Sequence, residues 1–171
     1  RLLSLFTAVV ISICFLSAAG ISASAASASS QAGVIATSSG RLNVRASAST
    51  SAAVVASLNK GSYVTLLSLS GSWWKVEYGY CHKDYIQTVS SKIAAVNTSS
   101  TNLNVRSGPG TGYGIIGSLA KGKTVLVLSE SSGFSRVLYD GVKTGYVSSS
   151  YLKSSQTYAA VSLPLPDFKQ T

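Results

Sequence analysis

The chain has 171 residues, with 14 Lys and Arg against 5 Asp and Glu, a net charge of +9, and only 11% charged residues. That length suits one ordinary domain or two small ones, and the composition excludes a highly charged disordered chain. The 3 Pro exclude a proline-rich or collagen-like chain, and 2 Cys with 1 His are too few for a Cys-rich zinc site or a disulfide framework, so no metal or cofactor is expected.

Arg1 precedes a nearly unbroken apolar run from Leu2 to Leu16, and small residues follow, among them Ala23-Ser24-Ala25 and Ala26-Ser27-Ala28. A basic start, an apolar run and an Ala-x-Ala site predict a secretory signal peptide over residues 1–28. The chain does not begin with Met, so a truncated start is expected. A retained anchor is the other reading, but the run is short of the roughly 20 residues a bilayer core needs. No stable membrane insertion is expected after cleavage, and the chain is expected to be secreted. Cys81 is then the sole thiol, and a buried, inert side chain is expected for it.

The remainder repeats itself. Thr37-Ser38-Ser39-Gly40-Arg41-Leu42-Asn43-Val44-Arg45 matches Thr98-Ser99-Ser100-Thr101-Asn102-Leu103-Asn104-Val105-Arg106 at an offset of 61. The match continues through Ser57-Leu58-Asn59-Lys60-Gly61 against Ser118-Leu119-Ala120-Lys121-Gly122. After Tyr78 and Tyr139 the second copy gains the residues Asp140 to Thr144, and register resumes with Gly79-Tyr80 against Gly145-Tyr146. A repeat of this length is an internal duplication. The predicted units are 33–89 and 94–154, with 155–171 as a linker or tail.

Each unit reads as short strands separated by turns. Leu103 and Val105 alternate with polar neighbours, and Ser107 to Gly112 is a Gly- and Pro-containing loop. Ile115-Ile116 begins another strand, and Thr124 to Leu128 is apolar and β-branched, as buried strands are. Phe134–Tyr139 and Val142–Val147 are predicted to form a hairpin around Asp140-Gly141. The pattern predicts an all-β protein of two tandem small barrels. The expected core of the second is Leu103, Val105, Ile116, Leu119, Val125, Val127, Val137 and Val147. In the first copy Val76-Glu77-Tyr78-Gly79-Tyr80-Cys81 leaves almost no turn, so its last strands are either clipped or paired differently.

The run Leu103-Asn104-Val105-Arg106-Ser107-Gly108-Pro109-Gly110-Thr111-Gly112-Tyr113 resembles the signature of the bacterial SH3-like (SH3b) family. So do Lys121-Gly122, Gly145-Tyr146-Val147 and Tyr151-Leu152. The first copy departs from it, with Ala46-Ser47-Ala48-Ser49 in place of Ser107-Gly108-Pro109-Gly110. The resemblance implies an SH3-like β-barrel fold. It also implies a non-catalytic module targeting the cell wall, often joined to an NlpC-type peptidase or an N-acetylmuramoyl-L-alanine amidase. The expected partner is peptidoglycan or an associated anionic wall polymer, which a basic surface attracts. The alternative is that the chain is the targeting portion of a truncated hydrolase of that kind.

Candidate ligand-binding residues are the cations Arg106 and Arg136 and the aromatics Tyr113, Tyr146, Trp73 and Trp74. Arg106 and Arg45 have a competing role holding loop carbonyls. Tyr80, Tyr85, Tyr139 and Tyr151 are weaker candidates, and Tyr85 and Tyr151 are expected mainly in the core. No catalytic residues are expected. Cys81 and His82 are neighbours on a predicted strand and so point to opposite faces. The few carboxylates are scattered at turns and strand ends. Nucleic acid is not an expected partner, because the basic residues are spread rather than clustered and the chain is predicted to be exported. Binding of proline-rich peptides would rest on fold analogy alone.

Overall fold

The computed structural model describes residues 30–158. The predicted signal peptide and residues 159–171 of the predicted tail lie outside the described residues.

The first copy contributes β1 (Gln31–Ile35), β2 (Arg41–Arg45), β3 (Val54–Asn59), β4 (Tyr63–Leu66), β5 (Ser68–Ser70), β6 (Trp73–Val76), β7 (Gly79–His82) and β8 (Ile86–Val89). They form two antiparallel sheets, ordered β4-β1-β8 and β3-β2-β7-β6-β5. The second copy contributes β9 (Ser91–Val96), β10 (Leu103–Arg106), β11 (Ile115–Leu119), β12 (Thr124–Ser131), β13 (Phe134–Tyr139), β14 (Lys143–Ser148) and β15 (Leu152–Tyr158). Here one sheet suffices, ordered β11-β10-β14-β13-β12-β9-β15, because β12 runs through the point where β4 and β5 part. β15 continues to Tyr158, opposite Ser91. A short 3-10 turn precedes the closing strand of each copy, Lys83–Tyr85 in the first and Ser149–Tyr151 in the second.

The second core contains Leu103, Val105, Leu119, Val125, Val127, Val137 and Val147, as the alternation predicts, together with Tyr139. Ile116 is a correction: it is 53% exposed. Val105 faces Gly117 while Arg106 faces Ile115, so Ile116 is the extra residue of a β-bulge and drops out of the alternation. The first copy has the same bulge, with Val55 left over between the Val44–Ala56 and Arg45–Val54 pairs.

The first core contains Ile35, Leu42, Val44, Val64, Leu66, Val76, Ile86 and Cys81. The shortened hairpin is clipped rather than re-paired. Trp73 faces His82 as Phe134 faces Ser148, and only Glu77-Tyr78 separates the strands. Burial pushes the Cys81 thiol up to about 11, so at neutral pH it is a shielded thiol and not a thiolate. Native protein treated with an aromatic disulfide reagent is expected to leave Cys81 unlabelled by peptide mass mapping, with full labelling in guanidinium. Labelling of Cys81 in the folded chain would refute its burial.

Only Ser90 separates β8 from β9, and the two barrels pack directly together. Ala32, Leu126 and Leu138 are buried between them, flanked by Tyr63, Val89, Ile93 and Leu128. The Arg136 guanidinium lies 5.0 Å from the centre of the Tyr63 ring. β13 is therefore buried on both faces: Val137 and Tyr139 enter the second core while Leu138 enters the seam. β12 does the same with Val125 and Val127 against Leu126. The extra segment of the second copy reaches onto the first. Thr65 N–H donates to the Gly141 carbonyl at 2.7 Å, and Val142 packs against the first core.

Asp140 anchors that segment, 3.0 Å from Lys123 and 3.3 Å from Lys143. The hydrogen bond from Lys123 is the main cause lowering its pKa; desolvation opposes it and Lys143 adds to it. A carboxyl with a depressed folded pKa stabilises the native state above its unfolded value of about 3.9, and the benefit is lost as pH falls through the folded value. Part of the acid sensitivity of unfolding below about pH 4 is expected to disappear in Asp140→Asn, read from unfolding midpoints across pH. Identical pH profiles for the two proteins would contradict this.

Candidate binding grooves

The duplication builds one groove twice. The segment entering β2, β2 itself, and the ends of β6, β7 and the following 3-10 turn surround a cavity of about 390 Å³. The corresponding parts of the second barrel surround one of about 560 Å³. Both volumes fall within the roughly 300–1,000 Å³ typical of ligand sites. Thr37, Asn43, Arg45, Thr50 and Tyr85 line the first, and their equivalents Thr98, Asn104, Arg106, Thr111 and Tyr151 line the second. Trp73 and His82 complete the first, and Phe134 and Ser148 occupy their places in the second. Among the described residues no carboxylate lines either groove.

The frame is held by the same polar contacts in both copies. Lys60 Nζ donates to the Ser38 carbonyl at 3.0 Å, and Lys121 Nζ to the Ser99 carbonyl at 3.2 Å. Arg45 Nη1 donates to the Ala52 carbonyl at 2.7 Å. Arg106 Nη1 donates to the carbonyls of Thr111 at 2.9 Å and Tyr113 at 2.7 Å. Each guanidinium thus pins the long loop that walls its groove, and its other donors remain for a ligand. Arg106→Ala is expected to cost roughly 1–2 kcal/mol and to raise amide exchange selectively across residues 107–114. Unchanged exchange in that loop would remove its pinning role.

Among the described residues, two buried side-chain polar atoms have no hydrogen-bond partner, His82 Nδ1 and Thr98 Oγ1. One belongs to each groove. His82 Nδ1 sits 3.5 Å from the Asp84 carboxylate without a hydrogen bond to it.

The structure gathers some sequence-derived candidates into the grooves and places others elsewhere. Arg106 and Trp73 are groove residues. Trp74, next along β6, turns the other way and packs against the first core. Tyr113 is 50% exposed, as expected for a residue after the Gly-rich loop, but its ring lies against Gly108 and Gly110 and does not line the groove. A Cβ at Gly108 would collide with that ring. Arg136 is in the seam between barrels, and the half-buried Tyr146 lies on β14 opposite Arg106. Tyr139 is in the core.

Tyr85 and Tyr151 correct the expectation of a core position, at 45% and 48% exposed. The 3-10 turns rotate them out of strand alternation, and Ile86 and Leu152 pack inward instead. His82, weighed from the sequence only as a neighbour of Cys81, and Phe134, Asn43 and Asn104 are groove residues that the sequence pattern does not assign to a site. The recurrence of exposed Asn43 as Asn104 was the available signal, since no packing need explains it. Cys81 faces the core and His82 the groove, as strand alternation requires.

Comparison with known proteins agrees with this architecture. The Bacterial SH3 domain family matches at residues 40–87 and again at 101–153. YrvJ of Bacillus subtilis, which bears the name of an N-acetylmuramoyl-L-alanine amidase, is 31% identical over 163 residues, 88% of this chain and 31% of that one. The p60 protein of Listeria welshimeri, named as an endopeptidase, is 35% identical over 104 residues, 60% of this chain and 20% of that one. The chain thus spans about a third or less of the curated relatives it matches. The structure of NlpC1 from Trichomonas vaginalis is 21% identical, over 77% of this chain and 48% of that chain, with a TM-score of 0.35. With family matches in both halves, each over one of the two duplicated all-β units, the chain belongs to the bacterial SH3 domain family in two tandem copies.

Proposed function

We propose that this chain is an exported, non-catalytic module that binds cell-wall polymer, peptidoglycan or an anionic polymer attached to it, through its two grooves. The observation that carries this reading is the groove built twice on one frame, basic and, among the described residues, lined by no carboxylate in either copy. A repeating polymer presents many copies of one epitope, and two linked weak sites hold it much more tightly than either alone. The direct packing of the barrels keeps the spacing between sites fixed. YrvJ bears the name of an amidase acting on N-acetylmuramoyl-L-alanine, and p60 that of an endopeptidase. The net positive charge, +9 for the full chain including Arg1 of the predicted signal peptide, adds salt-dependent attraction to carboxylates and phosphates. The proposed units remain 33–89 and 94–154, behind a cleaved signal peptide.

The second reading is that the module is the targeting part of a longer wall hydrolase. It is favoured by the small share of YrvJ and p60 that the chain spans.

The test is co-sedimentation with purified sacculi, with and without removal of teichoic acid, across a salt series, while turbidity is followed. Binding without clearing, retained at moderate salt and lost in a Trp73→Ala/Phe134→Ala double variant, is the expected result. Binding that survives the double variant but vanishes with salt would replace groove recognition by simple charge attraction. Clearing of the suspension would refute the non-catalytic assignment.

A further inference from the structure

The two grooves share a frame but differ in kind at three equivalent positions. Arg41, Trp73 and His82 of the first stand where Asn102, Phe134 and Ser148 stand in the second. We infer that the grooves have divided their labour and that the first is the site for an amino-sugar ring carrying a nearby carboxylate. This inference rests on the wall-binding reading above and names the part of the polymer that the first groove reads.

The aromatic wall is the first argument. Trp73 and His82 meet edge to face, with ring centres 5.1 Å apart and planes at 82°, and His82 meets Tyr85 at 5.9 Å. These contacts hold the indole in one orientation, so little freedom remains to be lost on binding. An indole beside polar ring tips suits a pyranose, which has an apolar C–H face and hydroxyl edges. The second groove offers a phenyl ring and a serine hydroxyl at the same points, and its cavity is correspondingly wider.

Charge is the second argument. Among the described residues, Arg41 and Arg45 line the first groove and Arg106 lines the second. Arg41 is exposed and uses Nη2 on the Ser57 carbonyl at 3.1 Å, which fixes the side chain while other N–H groups stay open. A planar guanidinium pairs with a carboxylate through two parallel hydrogen bonds, and no carboxylate among the described lining residues competes for it. His82 adds an imidazole to the same wall.

The carboxylate can belong to the sugar itself or to a peptide attached to it, and the probes separate the two. The full chain is titrated with a neutral N-acetylglucosamine tetramer, with an N-acetylglucosamine–N-acetylmuramic acid disaccharide bearing a free lactyl carboxylate, with the same disaccharide carrying its peptide, and with that peptide alone. Affinity is read by calorimetry and by tryptophan fluorescence. At least one acidic glycan is expected to bind roughly tenfold more tightly than the neutral tetramer and the free peptide. Tight binding of the bare disaccharide assigns the carboxylate to the sugar; tight binding of the disaccharide–peptide alone assigns it to the peptide.

Trp73→Phe is expected to weaken this binding roughly tenfold and to remove most of the fluorescence change, because Trp74 packs on the core. Arg41→Asn is expected to abolish the preference for acid over neutral glycan. Placing Asn102→Arg, Phe134→Trp and Ser148→His together in the Trp73→Phe background is expected to restore acidic-glycan binding, which a folding defect cannot mimic. Equal affinity for neutral and acidic glycans, unaltered binding in Trp73→Phe, or an equal loss in Phe134→Ala would each overturn the division of labour. Retained sedimentation with sacculi alongside those results leaves the wall-binding reading intact, whereas loss of sedimentation by the unaltered chain removes both.

Discussion

Leu138→Asp is expected to uncouple the two barrels and to lower stability by about 3–4 kcal/mol. Leu138 is fully buried in the seam with Ala32 and Leu126, so a carboxylate there replaces apolar packing and must give up its hydration. The second core itself should survive, because Val137 and Tyr139 on the same strand face it and are untouched. The unaltered tandem is expected to unfold in one cooperative transition in urea, and the variant in two. A matched change on the exposed Leu69→Asp should leave the single transition in place. A single transition with an unchanged midpoint in Leu138→Asp would mean that the seam contributes no coupling. The variant also bears on function, since flexibly joined barrels give up part of the avidity that fixed spacing provides.

Gly145→Ala is the second large effect, at about 2–3 kcal/mol. A Cβ at Gly145 would collide with Val105 Cγ1 and come within 3.2 Å of the Arg106 carbonyl. The strand cannot yield cheaply, because Val105 is in the core and Arg106 pairs with Tyr146 on β14. Gly79 holds the same place in the first barrel, where a Cβ would collide with the Arg45 carbonyl. Glycine at both sites lets the strand behind the groove approach the strand that carries the groove arginine. Thermal unfolding checks the cost. Loss of the protected loop 107–114 in hydrogen exchange checks the link to Arg106. A variant as stable as the parent would show that the close approach is relieved at no cost.

Sequence by itself determined the repeat, the strand alternation and the second copy's hairpin turn. The offset between copies defined two units, and alternation of apolar residues placed seven of eight expected core side chains of the second unit correctly. Asp140-Gly141 marked a real hairpin turn, in which both residues take positive φ of 45° and 76°. The opposite faces of Cys81 and His82 follow from strand geometry alone.

The tertiary structure decided what depends on distant parts of the chain. Ile116 leaves the core because a bulge shifts one strand against its neighbour, and Tyr85 and Tyr151 leave it because a 3-10 turn interrupts the alternation. The unbroken apolar runs in β12 and β13 read as buried strands, but only the docked first barrel shows what covers their second face. The same docking sends Arg136 to the seam instead of a groove. Each groove joins residues from the segment before β2 or β10 to side chains some thirty to fifty positions later. Period and turn chemistry report only on near neighbours, whereas a site is made where strands remote in sequence are hydrogen-bonded side by side.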